Sequence, residues 1–308
     1  MTKQVLVIGA GGFIGQSLCQ ALRKQGAIVK AVSRNSCTPG LTGIEWIRSD
    51  CHSHLQLAGW LRDTDAVVFL AAGSTPGSSA GKPVAELSNN LTPLLATLEA
   101  LQQLRDVPLV YFSSAGALYG DSSAMPSREA DIPEPRSYHG AAKVAAEQFI
   151  GAWTRQYGGA ATIIRPSNVY GPGQTEKKGF GIIPAMLGCI QRGETLNVWG
   201  DGSVARDYLY IDDLIGLTLA ALNHPSHQTV RTLNAASGVS VTLNELFTLA
   251  EEATGRPLRR NYENIRTVDA RRVSIDAGMA KEHLHWQATV PLLQGLKRTW
   301  LWLNTSRL

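Results

Sequence analysis

The sequence predicts an α/β protein, a doubly wound parallel sheet of Rossmann type with a second, smaller α/β substrate domain. Three observations carry that reading. Short apolar, β-branched runs alternate with amphipathic segments through the first half of the chain, the first run ends in a glycine triplet, and the texture changes to glycine and turn formers after Pro166. Strands that are apolar on both faces are covered on both faces, and helices between them impose parallel crossovers.

In chain order, the strand KQVLVIG leads into the helix GFIGQSLCQALRKQG and the strand AIVKAVS. The strand AVVFLAA precedes a long helical stretch, VAELSNNLTPLLATLEALQQL. The strand PLVYFSS, the helix AAKVAAEQFIGAWTRQYG and the strand ATIIRPS complete the pattern, so residues 1–165 are read as the first domain. Beyond it, SNVYGPGQTEKKGFG reads as loop, MLGCIQRG as helix, LNVW as a short strand and GDG as a turn. YLYIDDLIGLTLAAL reads as a helix with acidic residues at its positive end, returning the chain to the first domain around 204–224. A last helical region ends in LKRTWLWL, and residues 166–308 are read mostly as the second domain.

At 308 residues, 44% hydrophobic and 18% charged, the chain builds an ordinary globular core. Its net charge of +4 is spread without a block of five like charges. That argues against nucleic-acid or membrane partners and leaves room for an anionic small substrate. The N-terminal run VLVI is too short for a signal sequence or a membrane span, so a cytoplasmic protein is expected. Cys19, Cys37, Cys51 and Cys189 have no CxxC pairing, which suits reduced thiols. GSSAGKPV lacks the spacing and the Ser/Thr of a phosphate loop, and the pairs His52/His54 and His283/His285 have no accompanying ligand cluster, so no metal site is predicted.

The glycines Gly9, Gly12 and Gly15, between a strand and a helix, point to a dinucleotide. They allow a tight turn, backbone approach to a pyrophosphate and close packing of helix on strand, with the helix N-terminus facing the phosphates. The second strand ends in Ser33-Arg34, where an NAD binder usually places a carboxylate. Ser33 and Arg34 would instead receive a 2′-phosphate, which favours NADP over NAD. Asp50 has two readings, a partner for the adenine amino group or a cap for a helix starting near His54.

Further motifs are FLAA at 69 to 72, SNN at 88 to 90, YFSSAGALYG at 111 to 120, RPSNVYGPGQ at 165 to 174, VWGDGSVARDYLYIDD at 198 to 213, and Arg266-x-x-Asp269. With GAGGFIG and the helix containing Lys143, they resemble the extended short-chain dehydrogenase/reductase family. The likeness is to its nucleotide-sugar epimerase/dehydratase branch, typified by UDP-galactose 4-epimerase. The resemblance implies that Gly9, Gly12, Phe13 and Ile14 meet the cofactor pyrophosphate, with Gly15 completing the triplet. Leu70, Ala71 and Ala72 would line the adenosine side, Asn90 would lie near the nicotinamide, and Lys143 would hold the nicotinamide ribose. It further implies that Asn168, Arg206 and Arg266 bind the diphosphate of a UDP- or dTDP-hexose, with Leu196 to Trp199 along the base, and that the enzyme moves a hydride at C4. A homodimer through helices at about Val84 to Leu104 and Gly140 to Tyr157 is the family's usual assembly.

Two departures stand out. Aligned on Tyr119-Gly120, the positions that carry the branch's catalytic hydroxyl are Ala115 and Ala117, leaving Ser113 and Ser114 upstream. The family's Tyr-x-x-x-Lys becomes His139-x-x-x-Lys143, with Tyr138 one residue too early. At about 100° per residue His139 and Lys143 lie about 40° apart on a helix, and Tyr138 and Lys143 about 140° apart. His139 therefore points inward as acid-base candidate, while Tyr138 and Ser114 serve only if the local backbone shifts. Beside Lys143, His139 is expected to be neutral and to suit a general base. Three functions stay open at this point: a 4-epimerase, an NADPH-dependent 4-keto-sugar reductase, and an impaired relative that binds dinucleotide or sugar nucleotide.

Overall fold

The computed structural model describes residues 3–34, 43–75, 77–120, 125–177, 181–227, 229–264 and 273–305. The strands are β1 (Gln4–Ile8), β2 (Ile28–Ser33), β3 (Glu45–Arg48), β4 (Ala66–Phe69), β5 (Leu109–Phe112) and β6 (Ala161–Pro166), then β7 (Asn168–Tyr170), β8 (Thr195–Trp199), β9 (Ala205–Tyr210), β10 (Val230–Ala235), β11 (Ser240–Thr242) and β12 (Arg259–Glu263). The helices are α1 (Phe13–Lys24), α2 (His54–Leu61), α3 (Pro83–Glu86), α4 (Thr92–Leu101), α5 (Ala115–Leu118) and α6 (Tyr138–Tyr157), then α7 (Ile182–Arg192), α8 (Ile211–Asn223), α9 (Leu243–Thr254), α10 (Gly278–Leu284) and α11 (Leu292–Thr305). Among the described residues no helix is long and apolar enough to cross a membrane.

The chain divides into two compact units. The first comprises 1–118, 135–165 and 215–233; the second comprises 119–134, 166–214 and 234–308.

The first unit is organised by a sheet of order β10-β6-β5-β4-β1-β2-β3. The pairs from β6 through β3 are parallel. The order reverses at β1, which lies between β2 and β4, and such a switch point leaves a crevice beyond the carboxyl ends of the strands. Val5 to Ile8 are fully buried, as the unbroken apolar run requires of a strand covered on both faces. Burying a side chain such as Leu6 or Ile8 contributes about 1.5–3 kcal/mol each. The long stretch read as one helix is α3, a π-helical turn Leu87–Leu91, and α4. Pro93, in the first turn of α4, has no N–H to return to the carbonyl four residues back, which fits a widened turn just before it.

The second unit holds a sheet of order β11-β9-β7 and a parallel pair β12-β8. Several of its elements depart from the sequence reading. Tyr208, Leu209 and Tyr210 belong to β9, and the helix read as starting there begins at Ile211. β7 lies in the stretch read as loop. Tyr170 sits edge-on to Tyr208 and Tyr210, with centroids 6.5 and 5.6 Å away, and this aromatic packing turns a glycine-rich stretch into a strand pair. Buried Asp207 accepts from the Ser237 N–H at 3.0 Å and its hydroxyl at 2.9 Å, while burial pushes its carboxyl up.

Candidate functional site

The loop after β1 is shaped by what glycine lacks. Gly9 has φ +92°, in the left-handed region, and its N–H donates to the Val32 carbonyl at 2.9 Å. A Cβ there would stand 2.6 Å from the Ala71 nitrogen, and a Cβ on Gly11 would stand 2.5 Å from Ser33 Oγ. A Cβ on Gly15 would meet the Gly9 carbonyl oxygen and lie 2.7 Å from Ala10 Cα. Gly12 is the exposed N-cap of α1, no side chain closes that helix end, and the first turn, Phe13 to Gly15, carries no acid. The helix start therefore offers its N–H groups and positive end to an anion, and the cradle beside it fits a dinucleotide pyrophosphate.

Around the cradle, Leu70 continues β4 and donates its N–H to the Ile8 carbonyl at 2.8 Å, followed by Ala71 and exposed Ala72. Ser33 lies beneath Gly11, and exposed Arg34 holds its guanidinium beside Gly73, 3.5 Å from where a Cβ would stand. Asp50 is exposed and accepts from the His52 N–H at 3.2 Å. The cap of α2 is Ser53, whose Oγ accepts from the Gln56 N–H at 3.4 Å, so the helix-cap reading of Asp50 is corrected: it lies one turn too early.

The second cluster lies at the start of α6. Ser137 is the N-cap, its Oγ accepting from the Gly140 N–H at 3.1 Å. Gly140 rests on the Ala117 carbonyl, which any Cβ would meet, so only glycine lets α6 approach α5 this closely. These two contacts fix the helix register. Tyr138 becomes its first residue, 48% exposed, whereas His139 is 8% and Lys143 6% exposed. Tyr138 is not brought into the cluster.

Lys143 Nζ donates to the Phe112 carbonyl at 2.7 Å and stands 4.8 Å from the Tyr111 ring centroid. Burial pushes its ammonium down to about 8, against the opposing charges of Glu147 and Glu86. Glu147 is held by Arg165, with Nη2 to Oε2 at 2.6 Å and Nε to Oε1 at 3.0 Å, both side chains buried. His139 Nδ1 lies 3.0 Å from Ser74 Oγ and 3.4 Å from Glu86 Oε1. Asn90 ties these together: its Nδ2 donates to Ser74 Oγ at 2.8 Å and Glu86 Oε1 at 2.6 Å, and its Oδ1 accepts from the Gly73 N–H at 2.5 Å. The His139 pKa is lowered, first by burial and then by Lys143, with Glu86 acting in the opposite direction.

Ser113 is buried, and its Oγ has no hydrogen-bond partner among the described residues. Ser114 is half-buried, and its carbonyl accepts from the Leu118 N–H at 3.2 Å as α5 begins. Sequence reasoning missed Ser74 and Glu86. A signal existed for Glu86, an acid four residues before Asn90 on the same helix face; none existed for Ser74, which sits on a loop.

In the second unit, exposed Asn168 on β7 donates from Nδ2 to the Asp207 carbonyl at 3.0 Å and is in register with Tyr208. Half-buried Arg206 is two residues earlier on β9 and donates from Nη1 to the Ala205 carbonyl at 2.9 Å. Buried Leu196 and exposed Trp199 point to opposite faces of β8. Arg266, Asp269, Asn35 and Cys37 lie outside the described residues. Among those described, no group of three His, Cys, Asp or Glu could hold a metal ion.

Residues 5–236 match the model described as the NAD dependent epimerase/dehydratase family. A UDP-glucose 4-epimerase of Mycolicibacterium smegmatis is 30% identical, covering 96% of this chain and 97% of its own. A dTDP-4-dehydro-6-deoxy-D-allose reductase of Streptomyces sp is 27% identical over 99% of this chain and 97% of its own. Among solved structures, the Thermotoga maritima UDP-glucose 4-epimerase with UDP-glucose superposes with a TM-score of 0.93 at 28% identity, covering 99% of this chain and all of that one. MoeE5 in complex with UDP-glucose and NAD gives 0.91 at 29% identity, covering 99% of this chain and 100% of its own.

Proposed function

The chain belongs to the NAD-dependent epimerase/dehydratase family, and from that membership we propose that it is a nucleotide-sugar 4-epimerase using His139 in place of the usual phenol as acid-base group. The observation that carries the reading is the buried pair His139 and Lys143, one turn apart on α6. A bound nicotinamide supplies the hydride acceptor and donor for C4 of the sugar. His139 takes the proton of the C4 hydroxyl as the carbon is oxidised and returns it when the 4-keto sugar is reduced on its other face. Lys143 holds the nicotinamide ribose, and burial together with the Lys143 charge keeps His139 neutral and ready to accept. Asn168, Arg206 and Arg266 bind the diphosphate of a UDP- or dTDP-hexose, supported by the binding of UDP-glucose in two of the similar structures. Arg34 beside Gly73 supports NADP, while NAD is bound in the MoeE5 structure. Exposed Val84, Leu87 and Phe149 on α3, the π turn and α6 support a homodimer through these helices.

The test is turnover of UDP-glucose, UDP-galactose and dTDP-hexoses by purified protein without added nicotinamide. Stoichiometric consumption of NADPH would replace this reading with the 4-keto-sugar reductase. Binding without turnover would favour the impaired relative, for which the alanines at 115 and 117 speak. His139→Ala should lower kcat by about 10²- to 10⁴-fold, whereas Tyr138→Phe should change nothing. The pH profile follows from two shifts. Activity should rise as His139 loses its proton, below the ordinary histidine range, and fall near pH 8 as Lys143 loses its charge.

A further inference from the structure

Glu86 is 3% exposed and ends α3 just before the π-helical turn. A buried carboxylate is normally matched by Lys or Arg, because taking its charge out of water is costly. Here its charged-pair contact is His139 Nδ1, its Oε1 also accepts from Asn90, and its Oε2 has no hydrogen-bond partner among the described residues. The wide turn sets Glu86 and Asn90 four residues apart and both inward, and single π turns recur at functional sites. Such an arrangement costs stability, which points to a use in the site.

We propose that Glu86 is a positioning residue for the proton exchange: with Ser74 it fixes His139 as the tautomer protonated at Nδ1, leaving Nε2 as the nitrogen that trades a proton with the sugar hydroxyl. This rests on the reading of His139 as acid-base group. Ser74 Oγ, the nearer neighbour at 3.0 Å, already accepts from Asn90 and can either accept from an Nδ1–H or donate to a bare Nδ1, so the choice falls to Glu86. As a carboxylate, Glu86 at 3.4 Å offers Nδ1 only acceptor oxygens, which favours the tautomer that carries its proton there. When Nε2 takes the substrate proton, the new positive charge appears beside Glu86. The charged groups acting on His139 are then Lys143 from its own helix, which disfavours that charge, and Glu86 from α3, which favours it. The phenol that His139 replaces carries one proton and needs no tautomer chosen; an imidazole does.

The decisive measurement is the ¹⁵N spectrum of the histidine-labelled protein with cofactor bound, His139 being assigned by its loss in His139→Gln, alongside kcat pH profiles. The inference expects an Nδ1–H imidazole in the unaltered protein. In Glu86→Gln, which keeps the shape and an acceptor for Asn90, it expects a lower titration midpoint and an acid limb of the rate profile displaced the same way. kcat should fall roughly 10- to 100-fold, the range for groups that orient a functional histidine, with KM nearly unchanged, and Glu86→Asp should recover part of the loss. An Nε2–H tautomer in the unaltered protein, or a midpoint unmoved in Glu86→Gln, overturns the inference whatever the activity, and needs no variant that folds poorly. If the tautomer and midpoint behave as expected but His139→Ala keeps its kcat, the acid-base reading of His139 has failed, and the role assigned to Glu86 falls with it.

Discussion

Around Gly9 and Gly15 the working surface is main chain, shaped by the absence of side chains, and its fit is decided by distances of 2.6 and 2.7 Å to positions a Cβ would take. Around His139 the working surface is side chain: Glu86, Asn90, Ser74 and Lys143, drawn from two helices, the π turn and a loop and linked by hydrogen bonds and charge. The first region tolerates no added atom, yet contains little chemistry that could drift. The second is held by buried charges and hydrogen bonds that any changed side chain would have to rebalance. That difference accounts for a chain that keeps a familiar glycine loop while carrying histidine and two alanines where phenol and hydroxyl are usual.

Three experiments test the contrast. The largest effect belongs to the floor of the side-chain region, the buried pair Glu147 and Arg165. Arg165→Met removes the guanidinium that holds buried Glu147 and should cost about 3–5 kcal/mol of stability, read by denaturant titration. Adding Glu147→Leu should restore most of it; a single variant as stable as the parent would mean the corner is not organised by charge. Next is Gly9→Ala. Strain at its positive φ of about 1–3 kcal/mol, together with the approach to Ala71, should weaken dinucleotide binding roughly 10- to 100-fold by calorimetry. Unchanged affinity would show that side chains, not main chain, set that loop. The smallest effect lies at the loop's exposed rim. Arg34→Ala should weaken NADP binding about fivefold, the scale of one exposed charge pair near 1 kcal/mol, with NAD affinity unaltered.

The same contrast governs what could be read in advance. The β1 run, the glycines and α1 are local signals, and so is the inward position of His139, because helix period alone separates it from Tyr138. Ser74 becomes a neighbour of His139 only through a loop, which leaves no periodic trace, and Glu86 through a π turn, whose one trace is its spacing to Asn90. In the second unit, β12 is exposed or half-exposed throughout and β7 is three residues long, so neither carries the apolar run that marks β1. The helix α9 did carry signals, the Thr242 and Glu245 capping box and an apolar face with Leu246, Phe247 and Ala250 buried.

The cap at Ser137 and the contact beneath Gly140 turn the seven residues from Ser137 to Lys143 into a ruler of fixed length. An extra residue ahead of Pro135 lengthens a loop and leaves the ruler unread. An extra residue between Ser137 and Lys143 would rotate everything downstream by about 100°, carrying Lys143 off the Phe112 carbonyl and leaving His139 without its partner one turn on. Length variation among relatives should therefore pile up before this segment and be missing within it, even where the proton carrier itself has changed.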